Sequence, residues 1–495
     1  MVSLISLFAA CSCLVSYQAL VAGSPINHDV SQLFERNPIT RSGLTSSKVQ
    51  RELGPLLSHG AVIFGPSSPL YANATSRWVE YVKPNIQVVV QPAQESDVAK
   101  IVKYCNTNSI EFLARNRGHG GTTSLNVFQG LEIDLSLLQG MTINENEKTA
   151  TLQGGAYAGP VINGLWDRGY LTCEHGLVSD GIIHLNAVLA DGSQVGVNAT
   201  SHSDLFWAMR GAGHNFAIVT SAKVKIYPVT YNKWHYHNYT WTGDKVEQVF
   251  EQLNILHTRD HGTTPVLMSY AGGSFAMDPR VSTTEAVLSW TFAYHGPAKD
   301  AEALLAPFNA IGAAHEEVGD VSYPELAVAE GTQEGGPQCQ DGPFVVSSNL
   351  LLTYNVTTER QLYNLFNSYV AKYPGIGAGV NLVHEGYSTK AVQAIASDST
   401  AYSHRAANHI VLFLGAVLKD SLEAPMRKWA KETTDLWTAG KASRRPDTYV
   451  NYASGASYES VKSIYGYESW RLQKLRALKA KYDPNNRFRF FVPLE

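Results

Sequence analysis

A short apolar strand that runs straight into a basic, glycine-rich loop constrains this chain more than any other feature. Ile110-Glu111-Phe112-Leu113-Ala114 reads as the strand, and Arg115-Asn116-Arg117-Gly118-His119-Gly120 follows without a spacer, then Gly121-Thr122-Thr123-Ser124. Upstream, Gln87-Val88-Val89-Val90-Gln91 is a buried-type strand stopped by Pro92. Between the two strands, Val98, Ile101, Val102 and Cys105 fall at i, i+3, i+4 and i+7, one apolar helical face. Residues 87–114 therefore predict a βαβ unit. It lacks G-x-G-x-x-G, which argues against a nicotinamide Rossmann site. Glycines in the loop let the backbone approach a flat or anionic ligand, and arginines offer a rigid fork of donors to phosphate. A polar loop with an incidental histidine is the plain alternative.

The chain has 495 residues, 44% hydrophobic and 17% charged, with net charge −4 and no long charge run. That length exceeds one ordinary core, so two domains or one domain with a large insertion are expected. The charge balance argues against a nucleic-acid partner. Residues 1–22 resemble a secretory signal: Leu4 to Val15 is apolar and Leu20-Val21-Ala22 precedes Gly23, although the segment before the apolar run has no Lys or Arg. A buried first helix is the other reading. No later apolar run is long enough to span a bilayer. Four sequons, at Asn73, Asn198, Asn238 and Asn355, suit a secreted or lumenal glycoprotein. Beyond the leader only Cys105, Cys173 and Cys339 remain, so at most one disulfide forms. No Cys/His pair has zinc-ligand spacing, and no metal is expected.

Further on, 130–135 and 148–153 read as strands, 159–168 as a helix, and 182–189 with 194–197 as a hairpin around Ala190-Asp191-Gly192-Ser193. Ser203-Asp204-Leu205-Phe206-Trp207-Ala208-Met209-Arg210-Gly211-Ala212-Gly213-His214-Asn215-Phe216 then leads into a long alternating strand, 218–227. From about 230 the composition shifts. Aromatic and β-branched strands (287–294, 346–353, 409–416) alternate with helical stretches (299–307, 358–371, 422–438). Residues 320–345, rich in Gly, Pro and Glu, read as a mobile loop. Near the end stand Tyr449-Val450-Asn451-Tyr452 and Lys481-Tyr482-Asp483-Pro484-Asn485-Asn486-Arg487-Phe488, where Pro484 stops the last helix.

Arg-x-x-Gly-His at 115–119, the 204–219 segment, Tyr-x-Asn-Tyr at 449–452 and the Lys-Tyr-Asp-Pro ending together resemble the berberine bridge enzyme-like oxidases, a branch of the vanillyl-alcohol-oxidase-type flavoproteins. The resemblance covers nearly the whole chain after the leader. It implies an α+β fold. A two-subdomain FAD-binding domain (60–228) would carry an inserted α/β substrate domain (229–440), an antiparallel sheet covered by helices, and residues 441–495 would return to the flavin domain. It implies FAD, bonded covalently through His119, with Arg115, Arg117, Gly118, Gly120, Gly211, Gly213, Asn215 and Ile218 around it. Tyr449 or Tyr452 would be the base and Asn451 would hydrogen-bond the ring or substrate. A free phenol ionises near 10, so a cation or hydrogen bond would have to lower it. For each tyrosine, aromatic packing is the alternative.

The expected activity is that of a secreted oxidase taking a hydride from an alcohol or amine carbon of a small organic substrate, here a secondary metabolite, and reducing O2 to H2O2. One departure bears on it. Between Gly169-Tyr170-Leu171-Thr172 and His175-Gly176-Leu177 the family carries a longer segment, with a second flavin-bonding cysteine and a Gly-rich loop on the pyrophosphate. Here only Cys173 and Glu174 stand there. Either the reading of the gene has lost coding sequence, or the chain is a variant with weakened flavin binding. The second case gives a competing function, a flavin-free secreted binding protein.

Overall fold

The computed structural model describes residues 43–172, 176–259, 262–330, 332–333, 340–455 and 458–494. The segment read as a signal, together with Cys173, Glu174 and Cys339, lies outside them.

The βαβ unit forms as the periodicity requires. Strands Asn85–Gln91 and Phe112–Arg115 flank Gln129–Asp134, both parallel to it, and Val62–Phe64 adds an antiparallel edge. The helix between them, Glu95–Thr107, starts in a Gln94/Asp97 capping box and buries Val98, Ile101, Val102 and Cys105 completely. Cys105 is a free thiol, and burial pushes its pKa up to about 12, so it is inert. A second, antiparallel sheet of five strands runs in the order Met141–Asn144, Thr149–Gln153, Ala217–Lys225, Ile182–Leu189, Gln194–Asn198.

Seven antiparallel strands make the third large sheet: His315–Val321, Trp234–Trp241, Val287–Tyr294, Met268–Ala276, Val380–Tyr387, His409–Ala416 and Phe344–Leu351. Its strands serve two cores by strict alternation. Leu382, Val411 and Phe413 pack under helices Val246–Thr258, Val356–Lys372 and Glu423–Gly440, whereas Val383, Leu412 and Leu414 join the core of the first two sheets. The sheet is therefore apolar on both faces. One face belongs to its own helices and the other roofs the first two sheets.

Two sequence expectations need correction. The 320–345 stretch is not simply a loop: Tyr323–Ala329 is a helix, opened by Ser322 and Glu325 in a capping box with Pro324 in the first turn. The S-x-x-E signal was present, but the surrounding Gly and Pro outweigh it in a reading by composition. The Asn238 sequon is a poor glycan site, because Asn238 pairs with both Thr291 and Glu317 inside the sheet and its Oδ1 is buried. Asn73 is exposed, whereas the Asn198 amide is spent on Thr200, Ser201 and His184, and Asn355 caps its helix.

Candidate functional site

A cavity of about 550 Å³ opens where the roof sheet meets the His119 loop, a size typical of sites for small organic ligands. Its floor is the strand-to-loop junction. Behind the floor, Arg77 pairs with Glu132 through a short hydrogen bond, and Arg115 pairs with Asp134 at 3.6 Å, all four side chains buried. Arg115 also donates to Asn73 O and Ser76 Oγ, each at 3.2 Å. Gly118 sits at φ +72°, and a Cβ there would stand 2.7 Å from Ser76 O. The loop thus turns tightly against its own arginine network, and only glycine fits the turn. His119 emerges from it partly buried in the cavity wall, its ring stacked on Trp78 at 6.1 Å. Burial holds its pKa down near about 4, against a partial offset from Asp341, so the imidazole is neutral and keeps a ring lone pair at neutral pH. Strand-like pairing of Trp78 and Glu80 with Gly342 brings the roof chain beside it.

The second floor element is the Arg210–Asn215 turn. Gly211 adopts φ +142°, and a Cβ on it would come within 2.3 Å of Tyr402 N. Its glycine is needed because chain 401–402 crosses it, with Ala401 N donating to Trp207 O at 3.0 Å and Tyr402 N to Arg210 O at 3.1 Å.

On the roof side, Tyr452 donates to Glu385 Oε1 and Tyr387 to Glu385 Oε2, each at 2.9 Å. Both phenols line the cavity and Glu385 lies behind them, fully buried. Burial raises the Glu385 carboxyl to about 7, although both phenols stabilise its anion. Burial first, then the neighbouring Glu385, push the Tyr452 phenol well above 10. The expectation of a lowered tyrosine is thus reversed: the neighbour is a carboxylate and not a cation. The group able to keep a proton is Glu385, and Tyr452 can hand one to it. Tyr449 meets Tyr452 edge-on at 5.3 Å and accepts from Asn451 Nδ2 at 2.9 Å.

The structure gathers His119, Gly120, Gly211, Gly213, Tyr449, Asn451 and Tyr452 around this one cavity. Arg115, Arg117, Gly118, Asn215 and Ile218 do not line it. Arg115 buttresses the loop from behind, and Arg117 lies 3.6 Å over the Tyr157 ring. Asn215 binds the Tyr465 hydroxyl at 3.0 Å and takes Lys479 Nζ on its carbonyl at 2.9 Å, which ties the turn to the last helix. Ile218 is core. Glu385 and Tyr387 were missed from sequence. The available signal was a lone Glu in an otherwise buried strand, Val380–Tyr387, but nothing local connects it to Tyr452, 67 residues on. Among the described residues no group of His, Cys, Asp or Glu could hold a metal ion, and no helix is long and apolar enough to cross a membrane.

The comparisons agree with this geometry. Residues 86–183 match the FAD binding domain family and 448–492 the family described as berberine and berberine like. The FAD-linked oxidoreductase iacH of Pestalotiopsis fici is 52% identical over 98% of this chain and 98% of its own length. Among solved structures, a Physcomitrella patens BBE-like 1 protein covers 91% of this chain and 100% of its own, with 19% identity and TM-score 0.75. Glucooligosaccharide oxidase from Acremonium strictum, whose structure concerns a 6-S-cysteinyl, 8α-N1-histidyl FAD, covers 90% and 99%, with 21% identity and TM-score 0.74. These two share its fold. A flavoprotein fold with a glycine-turned histidine beside a ligand-sized cavity is the class these features define. The chain belongs to the berberine bridge enzyme-like family of FAD-linked oxidoreductases, and its cofactor is FAD.

The residues present fit that cofactor unevenly. A neutral His119 and an apolar, ring-stacked surround suit the flavin ring. For a pyrophosphate the described cavity lining offers one lysine, Lys390, and no arginine.

Proposed function

We propose that this chain is an oxidase that removes a hydride from an alcohol or amine carbon of a small organic secondary metabolite and passes the electrons to O2, giving H2O2. The observation that carries the reading is the Tyr452–Glu385 hydrogen bond in the wall of the cavity that also holds His119. When bound, FAD accepts the hydride and is reoxidised by O2. The protein's part is proton handling and orientation. A substrate hydroxyl set against Tyr452 Oη gives up its proton to that oxygen while Tyr452 passes its own to Glu385 Oε1. Burial tunes Glu385 to about 7, near the operating pH, where a base both takes and releases protons. Tyr387 holds the other carboxylate oxygen and fixes its direction. Asn451 fixes the Tyr449 ring beside it.

His119 is proposed as the covalent anchor of FAD. Its support is the lone pair that burial preserves, together with the histidyl FAD named for the Acremonium strictum neighbour. If the short connection after Thr172 lacks the family's Gly-rich loop, the pyrophosphate would lose donors, and charged hydrogen bonds are worth roughly 1.5–3 kcal/mol each. The alignment with the Pestalotiopsis fici relative spans 512 positions although this chain has 495 residues, which agrees with a lost segment. The covalent bond would then be the main hold on the cofactor. A secretory route, with a glycan at Asn73, completes the reading.

The test is the visible absorbance of the full chain made in a secretory host, before and after acid precipitation. Colour that stays with the pellet, and is absent from His119→Ala, is the expected result. Colour released to the supernatant would sink the covalent assignment. A folded, colourless protein would favour the second reading, a flavin-free binding protein, which the short connection between Thr172 and His175 supports.

A further inference from the structure

Among the described residues, Val266, Leu267, Lys390 and Ala394 both line the cavity and stand exposed, so they mark its mouth. Val266 and Leu267 are the two central residues of a turn over 265–268, closed by Met268 N donating to Pro265 O at 3.0 Å. Leu267 takes φ +68° there, a left-handed backbone that glycine or asparagine usually supplies at the third place of a turn. A leucine so held is strained, and such strain gathers where chains meet ligands. Leu267 is 40% exposed and Val266 47%, so burial in the core accounts for neither side chain.

The turn is fixed to the roof. His295 N donates to Leu267 O at 2.8 Å, and the His295 ring stacks on Trp234 at 4.9 Å. Trp234 packs with Leu326 of helix Tyr323–Ala329, and Met268, next after Leu267, is buried and lines the cavity. Leu326, Trp234, Met268, Leu267 and Val266 thus make an apolar strip from the interior to the mouth. Thr263, before the turn, donates from Oγ1 to Tyr387 O at 3.3 Å and accepts from Thr389 N at 2.7 Å. Ser269, two residues past Leu267, pairs with Tyr387, whose hydroxyl donates to Glu385. The strip therefore runs beside the strand that carries Glu385 and Tyr387. Glu330 lines the cavity too, but burial raises its pKa to about 8, so at neutral pH it puts little charge into this wall.

We propose that this strip is a tail-binding subsite, and that the substrate is an alcohol or amine carrying an unbranched hydrocarbon tail, which lies along Trp234 and passes out over Val266 and Leu267. The proposal rests on the oxidase reading for which end of the molecule reacts, but not for the subsite itself. A hydrocarbon laid on the strip takes from water the side chains that the turn exposes, and each methylene so buried adds to affinity. A sugar chain offers little such area, and its hydroxyls would lose water against apolar side chains.

The experiment is calorimetric titration of the purified full chain with 1-butanol, 1-hexanol and 1-octanol. Affinity rises about 4- to 16-fold for each added pair of methylenes, which is roughly two- to fourfold per methylene between half and full burial. Leu267→Asn cuts the ratio of octanol to hexanol affinity to about twofold or less, while its thermal midpoint stays at or above the parent's, since asparagine tolerates the left-handed backbone. Val266→Asp, on the exposed neighbour, lowers the ratio likewise and decides if Leu267→Asn does not fold. Equal affinities along the series in the parent protein, a ratio unchanged in Leu267→Asn, or tighter binding of xylobiose than of 1-octanol would overturn the proposal. Visible absorbance of each preparation separates the two readings. A colourless protein that keeps the length dependence sinks the oxidase and leaves the subsite, and a yellow protein whose affinity ignores chain length does the reverse.

Discussion

Behind His119 the chain buries ion pairs, Arg77 with Glu132 and Arg115 with Asp134. Behind Tyr452 it buries a carboxyl whose donors are two phenols and no cation, and close by in sequence Glu459, raised to about 7, accepts from the Ser454 and Gly455 N–H groups. The difference is one of task. A buried pair with both partners in place keeps its charge and holds a backbone turn in one shape, and removing either partner leaves a costly lone charge. A carboxyl buried without a cation has its two protonation states close in free energy near neutral pH, which suits it to move protons. On the proposed reading the ion-paired floor would set where the cofactor ring sits, and the roof would handle protons above it.

Substitutions on the two walls should separate these roles. Tyr452→Phe removes the proton path and is expected to lower kcat by about 10²–10⁴-fold, the usual worth of a positioned acid–base group, with flavin content and thermal midpoint near those of the parent. An equal loss of bound flavin would show that the roof also holds the cofactor, and the division would fail. Arg77→Ala strands Glu132 in the core and should cost about 3–5 kcal/mol of stability, read by denaturant unfolding, with retained flavin falling in step. If the variant is as stable as the parent, the floor is not held by its ion pairs.

Glu385→Gln probes the roof through pH. The working form of Glu385 is the anion, so kcat/KM of the parent rises with pH through about 7 and levels above it. The Gln variant loses that limb and retains on the order of a hundredth to a tenth of the plateau rate, because the phenol can still orient the substrate. A rise that persists unchanged assigns the titration to another group. The smallest effect belongs to Gly211→Ala. Its Cβ meets the 401–402 backbone at a strained φ and should cost about 1–3 kcal/mol. Since the contact joins floor to roof, flavin retention and substrate KM should both change, which neither wall alone would give.

The sequence by itself determined the local frame: the βαβ unit from a 3.6-residue apolar face between two buried-type strands, the histidine at the mouth of its strand, aromatic and β-branched strands alternating with helices in the roof, and the stop at Pro484. It also marked the residues that converge on the cavity from the 119, 211 and 449–452 segments, because each is carried by a short motif whose physics is local. It could not show where the side chains of Arg115, Arg117 and Asn215 go, because their polar ends look available in a string of letters. In the fold, Asn73, Ser76 and Asp134 take up Arg115, the Tyr157 ring lies under Arg117, and Tyr465 takes up Asn215. Only the tertiary structure decided the chemistry of the roof. Burial raises Glu385 to about 7 against the opposing hydrogen bonds of Tyr387 and of Tyr452, a phenol 67 residues away. Tyr323, Leu326 and Glu330 reach the cavity because a short capped helix packs on Ala158 and Ile162 on one side and on Trp234 on the other. Desolvation and long-range pairing set those properties, and neither leaves a period or a spacing in the chain to be read.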